Sequence, residues 1–221
     1  MIVATVGRGR PASAAATRER FLRAGLALAR KGGLRAITVR ALAQRARANP
    51  GSFVYHFGTR EAYLAELLEQ WYAPLMTQLQ LHVVQDAADP LDVLRGLVLQ
   101  LVRWAQANAP FVAQLVMDAA AGEAAARRFF AALEGRHPAL LLAAIVAAQN
   151  AGRVRAAPPV AVLLFLMSTV ALPVLLFQGF NAARVVPLPL LEQLRSVVLD
   201  PAQAEQRLDW ALRGLAPDGD A

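Results

Sequence analysis

The segment from Thr38 to Arg60, TVRALAQRARANPGSFVYHFGTR, constrains the fold more than any other part of the chain. Val39, Leu42, Ala43 and Ala46 recur at helical spacing behind Thr38, a residue type that caps helix starts, while Arg40, Gln44, Arg45 and Arg47 fall on the other side. A second start signal follows at once. Asn49 is a cap, and Pro50 takes a first-turn position where a missing N–H costs nothing. Phe53 and Phe57, four apart, share an inner face and leave Ser52, Val54, Tyr55 and His56 on or near the outer surface. Two short helices joined by a tight turn in a basic segment predict a helix-turn-helix, which sets one helix into the major groove of DNA.

Charge is segregated in the same sense. Residues 1–60 hold twelve Lys/Arg against Glu19, a net +11, whereas residues 61–221 hold eleven Arg against fifteen acids, a net −4; together these make the +7 of the whole chain. A basic head on a mildly acidic body implies a polyanionic partner for the head and another task for the body. Residues 1–13, with Gly7-Arg8-Gly9-Arg10-Pro11, are expected to form a basic arm able to reach a narrow minor groove.

The remainder reads as helix. Apolar residues make up 57% of the chain, dominated by Ala and Leu, with three Ile (Ile2, Ile37, Ile145), a composition that favours an all-α fold. A first helix is expected up to Lys31, stopped by Gly32-Gly33, and Thr59 caps a fourth that runs to about Val84. Proline starts then mark Pro90–Asn108, Pro110–Ala120, Pro138–Ala151, Pro159–Phe177, Pro189–Leu199 and Pro201–Leu215, with Glu123–Glu134 among them, an all-α chain of about nine to ten helices.

Several function classes are disfavoured. There is no cysteine, and His56, His82 and His137 lack metal-ligand spacing, so neither a metal nor a cofactor is expected. No nucleophile–His–acid set or phosphate-cradling glycine loop argues for an enzyme. The charge-free run Val160–Phe177 is eighteen residues long, the lower limit for a membrane span, but contains Ser168, Thr169 and Pro173 and lacks basic flanks. A cytoplasmic protein is therefore expected, the alternatives being an architectural DNA binder or a membrane-associated helical protein.

Residues 17–70 resemble the TetR (tetracycline-repressor) family of bacterial transcription regulators. The resemblance is carried by Lys31-Gly32-Gly33, Ile37-Thr38-Val39-Arg40, Leu42-Ala43, Ala46 and Gly51-Ser52-Phe53-Val54-Tyr55-His56-Phe57. The sequence departs from the family pattern at Arg47, where glycine usually makes the turn, at Ala29 in place of a large aromatic, and at Val54 in place of Tyr.

The resemblance implies an N-terminal three-helix DNA-binding domain over 14–60 and a larger helical ligand-binding and dimerisation domain over 61–221. It implies that Thr38, Ser52, Tyr55, His56 and Arg60 hold phosphates, and that Arg40, Pro50, Gly51 and Val54 read bases, Arg40 by a bidentate bond to guanine and Val54 against a thymine methyl. It further implies a homodimer on a palindromic operator of double-stranded DNA, paired through Val162, Leu163, Leu166, Val170, Leu208, Trp210, Ala211 and Leu212. A small, apolar effector is expected among Trp71, Tyr72, Met76, Trp104, Phe111, Met117 and Phe165, with Gln114 or Asp118 as polar contacts.

Overall fold

Residues 14–85, 89–183 and 187–217 are described in the computed structural model, and every regular element among them is helical. The order is α1 (Ala14–Gly32), a 3-10 turn (Leu34–Ala36), α2 (Val39–Ala46), α3 (Pro50–Phe57), α4 (Arg60–Gln85), α5 (Pro90–Ala120), α6 (Ala124–Ala131), α7 (His137–Asn150), α8 (Pro159–Val170), α9 (Leu172–Ala183), α10 (Leu188–Val198) and α11 (Pro201–Gly214). The expected basic arm lies outside the described residues. The chain divides into two compact units, one ending at Leu67 and the other beginning at Leu68, so the boundary falls within α4.

The first unit is a closed core formed by α1, the short helices α2 and α3, and the start of α4. Thr38 Oγ1 accepts from the Ala41 N–H at 3.1 Å and starts α2; Asn49 Oδ1 accepts from the Gly51 N–H at 2.8 Å and starts α3. Between them Arg47 takes φ 49°, ψ 49°, the left-handed conformation that glycine adopts at less cost. Its N–H still bonds the Ala43 and Gln44 carbonyls, so the turn keeps its geometry with an arginine in it. Phe21 of α1 meets Phe53 and Phe57 of α3 edge to face, at 5.7 and 5.9 Å between centroids, and Tyr63 of α4 meets Phe57 at 4.8 Å. The Tyr63 hydroxyl donates to the Phe21 carbonyl at 2.8 Å, and burial, followed by the Glu66 carboxylate, raises its pKa. Gly25 makes room for it: a Cβ there would meet the Tyr63 hydroxyl and lie 2.8 Å from its Cζ.

The second unit is built around α5, against which α6, α7, α9 and α11 pack. Two helix expectations are corrected here. Pro110 does not end a helix: α5 continues through it. Pro110 is exposed while its neighbours Ala109 and Phe111 are buried, and burying that inner face offsets the roughly 3 kcal/mol that an interior proline costs. Conversely, the charge-free run is two helices, parted at Ala171, because Pro173 has no N–H for the Thr169 carbonyl. No described helix is long and apolar enough to cross a membrane. Ala109 of α5, Val174 and Phe177 of α9, and Val198 of α10 form one buried cluster, and Arg95 ties α5 to Asp209 of α11 at 2.9 Å.

Candidate nucleic-acid interface and ligand cavity

The outer side of α3 is unusually bare. Val54 is 61% and Tyr55 81% exposed, Pro50 and Gly51 are exposed, and Ser52 and His56 are half-buried beside them. The inner side is occupied by Phe53 and Phe57, so the 3.6-residue repeat leaves these residues outward. Tyr55 does not fold back onto α1; its ring stands edge-on to His56 at 5.1 Å. Thr38 and Arg40, at the start of α2, are both exposed. Because the Thr38 hydroxyl already accepts from Ala41, its own proton is available to a phosphate.

The arginines of this unit fall into two groups. Arg18 pairs with Glu66 at 2.6 Å, and its guanidinium lies 5.3 Å from the Phe57 ring. Arg60 donates through Nε to the Ile37 carbonyl at 2.9 Å and through Nη2 to the Leu34 carbonyl at 2.8 Å. It therefore clamps the turn ahead of α2, and the phosphate contact expected of it gives way to this internal role. A cation in a helix's first turn opposes the helix dipole, which is the sequence sign that Arg60 serves another purpose. Arg40, Arg45 and Arg47 are exposed and meet no acid among the described residues; Arg45 and Arg47 border a shallow concavity with Arg20 and Arg23. Arg40, Arg45 and Arg47 thus lie on and beside α2, next to the bare side of α3.

The second unit holds a cavity of about 350 Å³ walled by α4 to α9. Of the effector contacts expected from sequence, Trp71, Tyr72 and Trp104 line it. The other six do not. Phe111 stands behind Trp71 at 4.6 Å between rings, and the Met76 sulfur lies 3.3 Å from the Tyr72 hydroxyl. Gln114 bonds Asp118, which is buried, while Met117 and Phe165 point outward at 64% and 44% exposure. Sequence reasoning missed Phe129, Phe130 and His137, which complete the wall. The Phe129-Phe130 pair and a histidine directly before Pro138 at a helix start are its visible traces.

His137 is fixed by Tyr72. Its Nδ1 lies 2.6 Å from the Tyr72 hydroxyl, and its main-chain N–H donates to the same oxygen at 3.4 Å. Burial, then the neighbouring Arg136 charge, lowers the imidazole pKa to about 4, so the ring is neutral at pH 7. Arg136 is held outside the wall by Glu69 at 2.5 Å and lies over the Tyr72 ring at 5.2 Å.

The expected dimer residues divide by face. Val162, Leu166, Val170, Leu208 and Ala211 are buried between α8, α11 and their neighbours inside one chain, and Leu163 and Leu212 are half-buried. The five buried ones cannot meet a second copy; an apolar run conceals which of its faces is internal. Trp210 is exposed, and the large apolar residues exposed on α8 and α9 are Val160, Leu164, Phe165, Leu172 and Leu176, of which Leu164 and Leu172 also border the cavity.

Residues 21–67 match the family described as bacterial regulatory proteins, tetR family. No curated protein matches the chain in sequence. Solved structures share its fold beyond the matched segment. A ketosteroid transcriptional regulator of Mycobacterium tuberculosis is 21% identical, with a TM-score of 0.62, covering 91% of this chain and 95% of its own. A TetR-family regulator structure from Mesorhizobium loti is 12% identical, at 0.63, covering 92% and 96%. A TetR transcription regulator from Haloarcula marismortui is 16% identical, at 0.63, covering 91% and 98%. At these identities the likeness concerns the fold alone.

Proposed function

We propose that the chain is a cytoplasmic, sequence-specific repressor that binds a palindromic operator as a homodimer and is released by a small apolar ligand. The observation that carries this reading is the bare outer side of α3 beside the unpaired Arg40, Arg45 and Arg47. In it, Thr38, Ser52, Tyr55 and His56 hold phosphates, while Arg40, Pro50, Gly51 and Val54 meet base edges. One such helix touches too few base pairs to select a genomic site, so two copies act on two half-sites. Their contact surface is Trp210 with the outward residues Val160, Leu164, Phe165, Leu172 and Leu176, an apolar strip in need of cover.

The effector occupies the aromatic cavity. It acts through α4, which supplies Tyr63 to the first unit's core and Trp71 and Tyr72 to the cavity wall. Only a ligand that binds the DNA-competent and DNA-free states unequally shifts between them.

Gel-shift titration on an operator series with single base changes tests the docking. Arg40→Ala is expected to weaken binding by about 1–3 kcal/mol and to relax preference at one position. Tyr55→Phe, losing a phosphate donor, weakens every sequence by a similar factor. Unchanged affinity in both variants overturns the docking, and binding without sequence preference or ligand response makes the chain an architectural DNA binder instead.

A further inference from the structure

The cavity's lining is more specific than its apolarity. No carboxylate, Lys or Arg stands among the residues that line it, so a charged ligand would lose its hydration without compensation. Its polar groups are constrained. The Trp71 indole N–H is engaged by Asn108 at 2.9 Å, and the Ser168 hydroxyl donates to the Phe165 carbonyl at 2.8 Å. His137 and Trp104 remain.

The state of His137 follows from its neighbours. The Tyr72 oxygen accepts from the His137 main-chain N–H, which turns its own proton toward His137 Nδ1 at 2.6 Å, a nearer and better acceptor than the Met76 sulfur. A neutral imidazole that accepts at Nδ1 carries its hydrogen at Nε2. Nε2 meets no acceptor among the described residues, and neither does the indole N–H of Trp104. Both polar groups left over are therefore donors.

We infer that the cavity takes an uncharged aromatic or polycyclic molecule bearing a hydrogen-bond acceptor such as a ketone, which accepts from His137 Nε2–H while its rings lie among Trp71, Trp104 and Phe129. This rests on the proposed effector role of the cavity. Tyr72 is a positioning residue: it fixes the tautomer and touches no ligand through its hydroxyl. The volume suits a molecule of about two or three rings.

Three probes of one size separate the chemistry: 2-acetonaphthone, with an acceptor; 2-ethylnaphthalene, with none; and 2-naphthoate, an anion. Binding is read on the full-length protein by quenching of Trp71 and Trp104 fluorescence, with Trp104→Phe as a control that retains Trp71. The ketone is expected to bind about tenfold tighter than the hydrocarbon, one added hydrogen bond in a dry site, and the anion weakest. His137→Phe abolishes the ketone's advantage over the hydrocarbon, the ratio of the two affinities being the readout. Tyr72→Phe reduces the advantage by freeing the tautomer, and the 15N shifts of the His137 ring in the parent protein report Nε2 protonated.

Equal binding of ketone and hydrocarbon, or tightest binding of the naphthoate, overturns the inference while leaving the cavity a binding site. Failure of all three to bind overturns the effector role of the cavity and the inference with it. Should His137→Phe fail to fold, the ratio of ketone to hydrocarbon in the parent protein and the 15N shifts still decide.

Discussion

Both units gather aromatic rings, yet one closes on them and the other leaves a void. In the first, Phe21 meets Phe53 and Phe57 edge to face, Tyr63 meets Phe57 the same way, and the Tyr63 hydroxyl bonds a backbone carbonyl within the same cluster. In the second, Trp71, Tyr72, Trp104 and Phe129 stand in a similar mutual geometry around about 350 Å³ of space. The lesson concerns packing geometry. Eight-residue helices, each fixed by its own cap, leave little freedom in how their rings meet, whereas the long α4 and α5 can be held apart by residues remote from the gap.

The strongest challenge to that contrast is ring deletion. Phe53→Ala is expected to cost about 3–5 kcal/mol in urea unfolding, and Phe130→Ala, which enlarges an existing cavity, about 1–2 kcal/mol. Equal costs would mean that the second cluster is as tightly packed as the first. Next in size is a pH effect confined to the second unit. An unfolded chain protonates its imidazole near 6.5, but folded His137 resists until about pH 4, so its contribution is fully present above pH 6.5 and lost as pH falls toward 4. The loss is of order 3 kcal/mol over that window, and His137→Gln should flatten it. Stability curves of the two proteins that run parallel from pH 7 to 4 would contradict the buried neutral ring.

Gly25→Ala sharpens the account of the closed core. Alanine favours a helix interior over glycine by about 1 kcal/mol, but here its Cβ strikes a fully buried tyrosine, and overpacking of about 1–3 kcal/mol outweighs the gain. A stabilised variant would show that Tyr63 can move. Arg60→Ala is expected to lower stability by about 1–2 kcal/mol through two carbonyls left without their charged donor, with little change in operator affinity per folded molecule. That is the reverse of Arg40→Ala. The smallest effect is a gain: Arg47→Gly relieves the left-handed φ and adds about 0.5–1 kcal/mol, read as a rise in melting temperature.

What the sequence displays follows the same division. The caps Thr38 and Asn49, the Pro50 start and the Phe53/Phe57 spacing are local signals, and the first unit forms where they place it. Arg60 is misread because its partners, the Leu34 and Ile37 carbonyls, lie across a turn that residue type does not reveal. In the second unit, Pro110 and Pro173 carry the same local message but have opposite outcomes: α5 runs on through Pro110, whereas α8 and α9 part at Ala171, two residues before Pro173. Trp71, Tyr72 and Trp104 are identifiable as large aromatics on adjoining helices; His137 is not, since its role depends on a tyrosine sixty-five positions away. The dimer surface is hidden for a related reason. When α8 is apolar around most of its circumference and carries no charge, hydrophobicity alone does not distinguish the face that α11 covers from the face that stays bare.

Selection of bound fragments from random duplex DNA by the purified chain, repeated with Arg40→Ala and Val54→Ala, tests the central claim most directly. The account predicts an inverted repeat with half-site centres about one helical turn, or a whole multiple of it, apart, and a changed base preference at matching positions of both half-sites in each variant. Recovery of sequences without symmetry or enrichment, with affinity governed by salt and length alone, would contradict it.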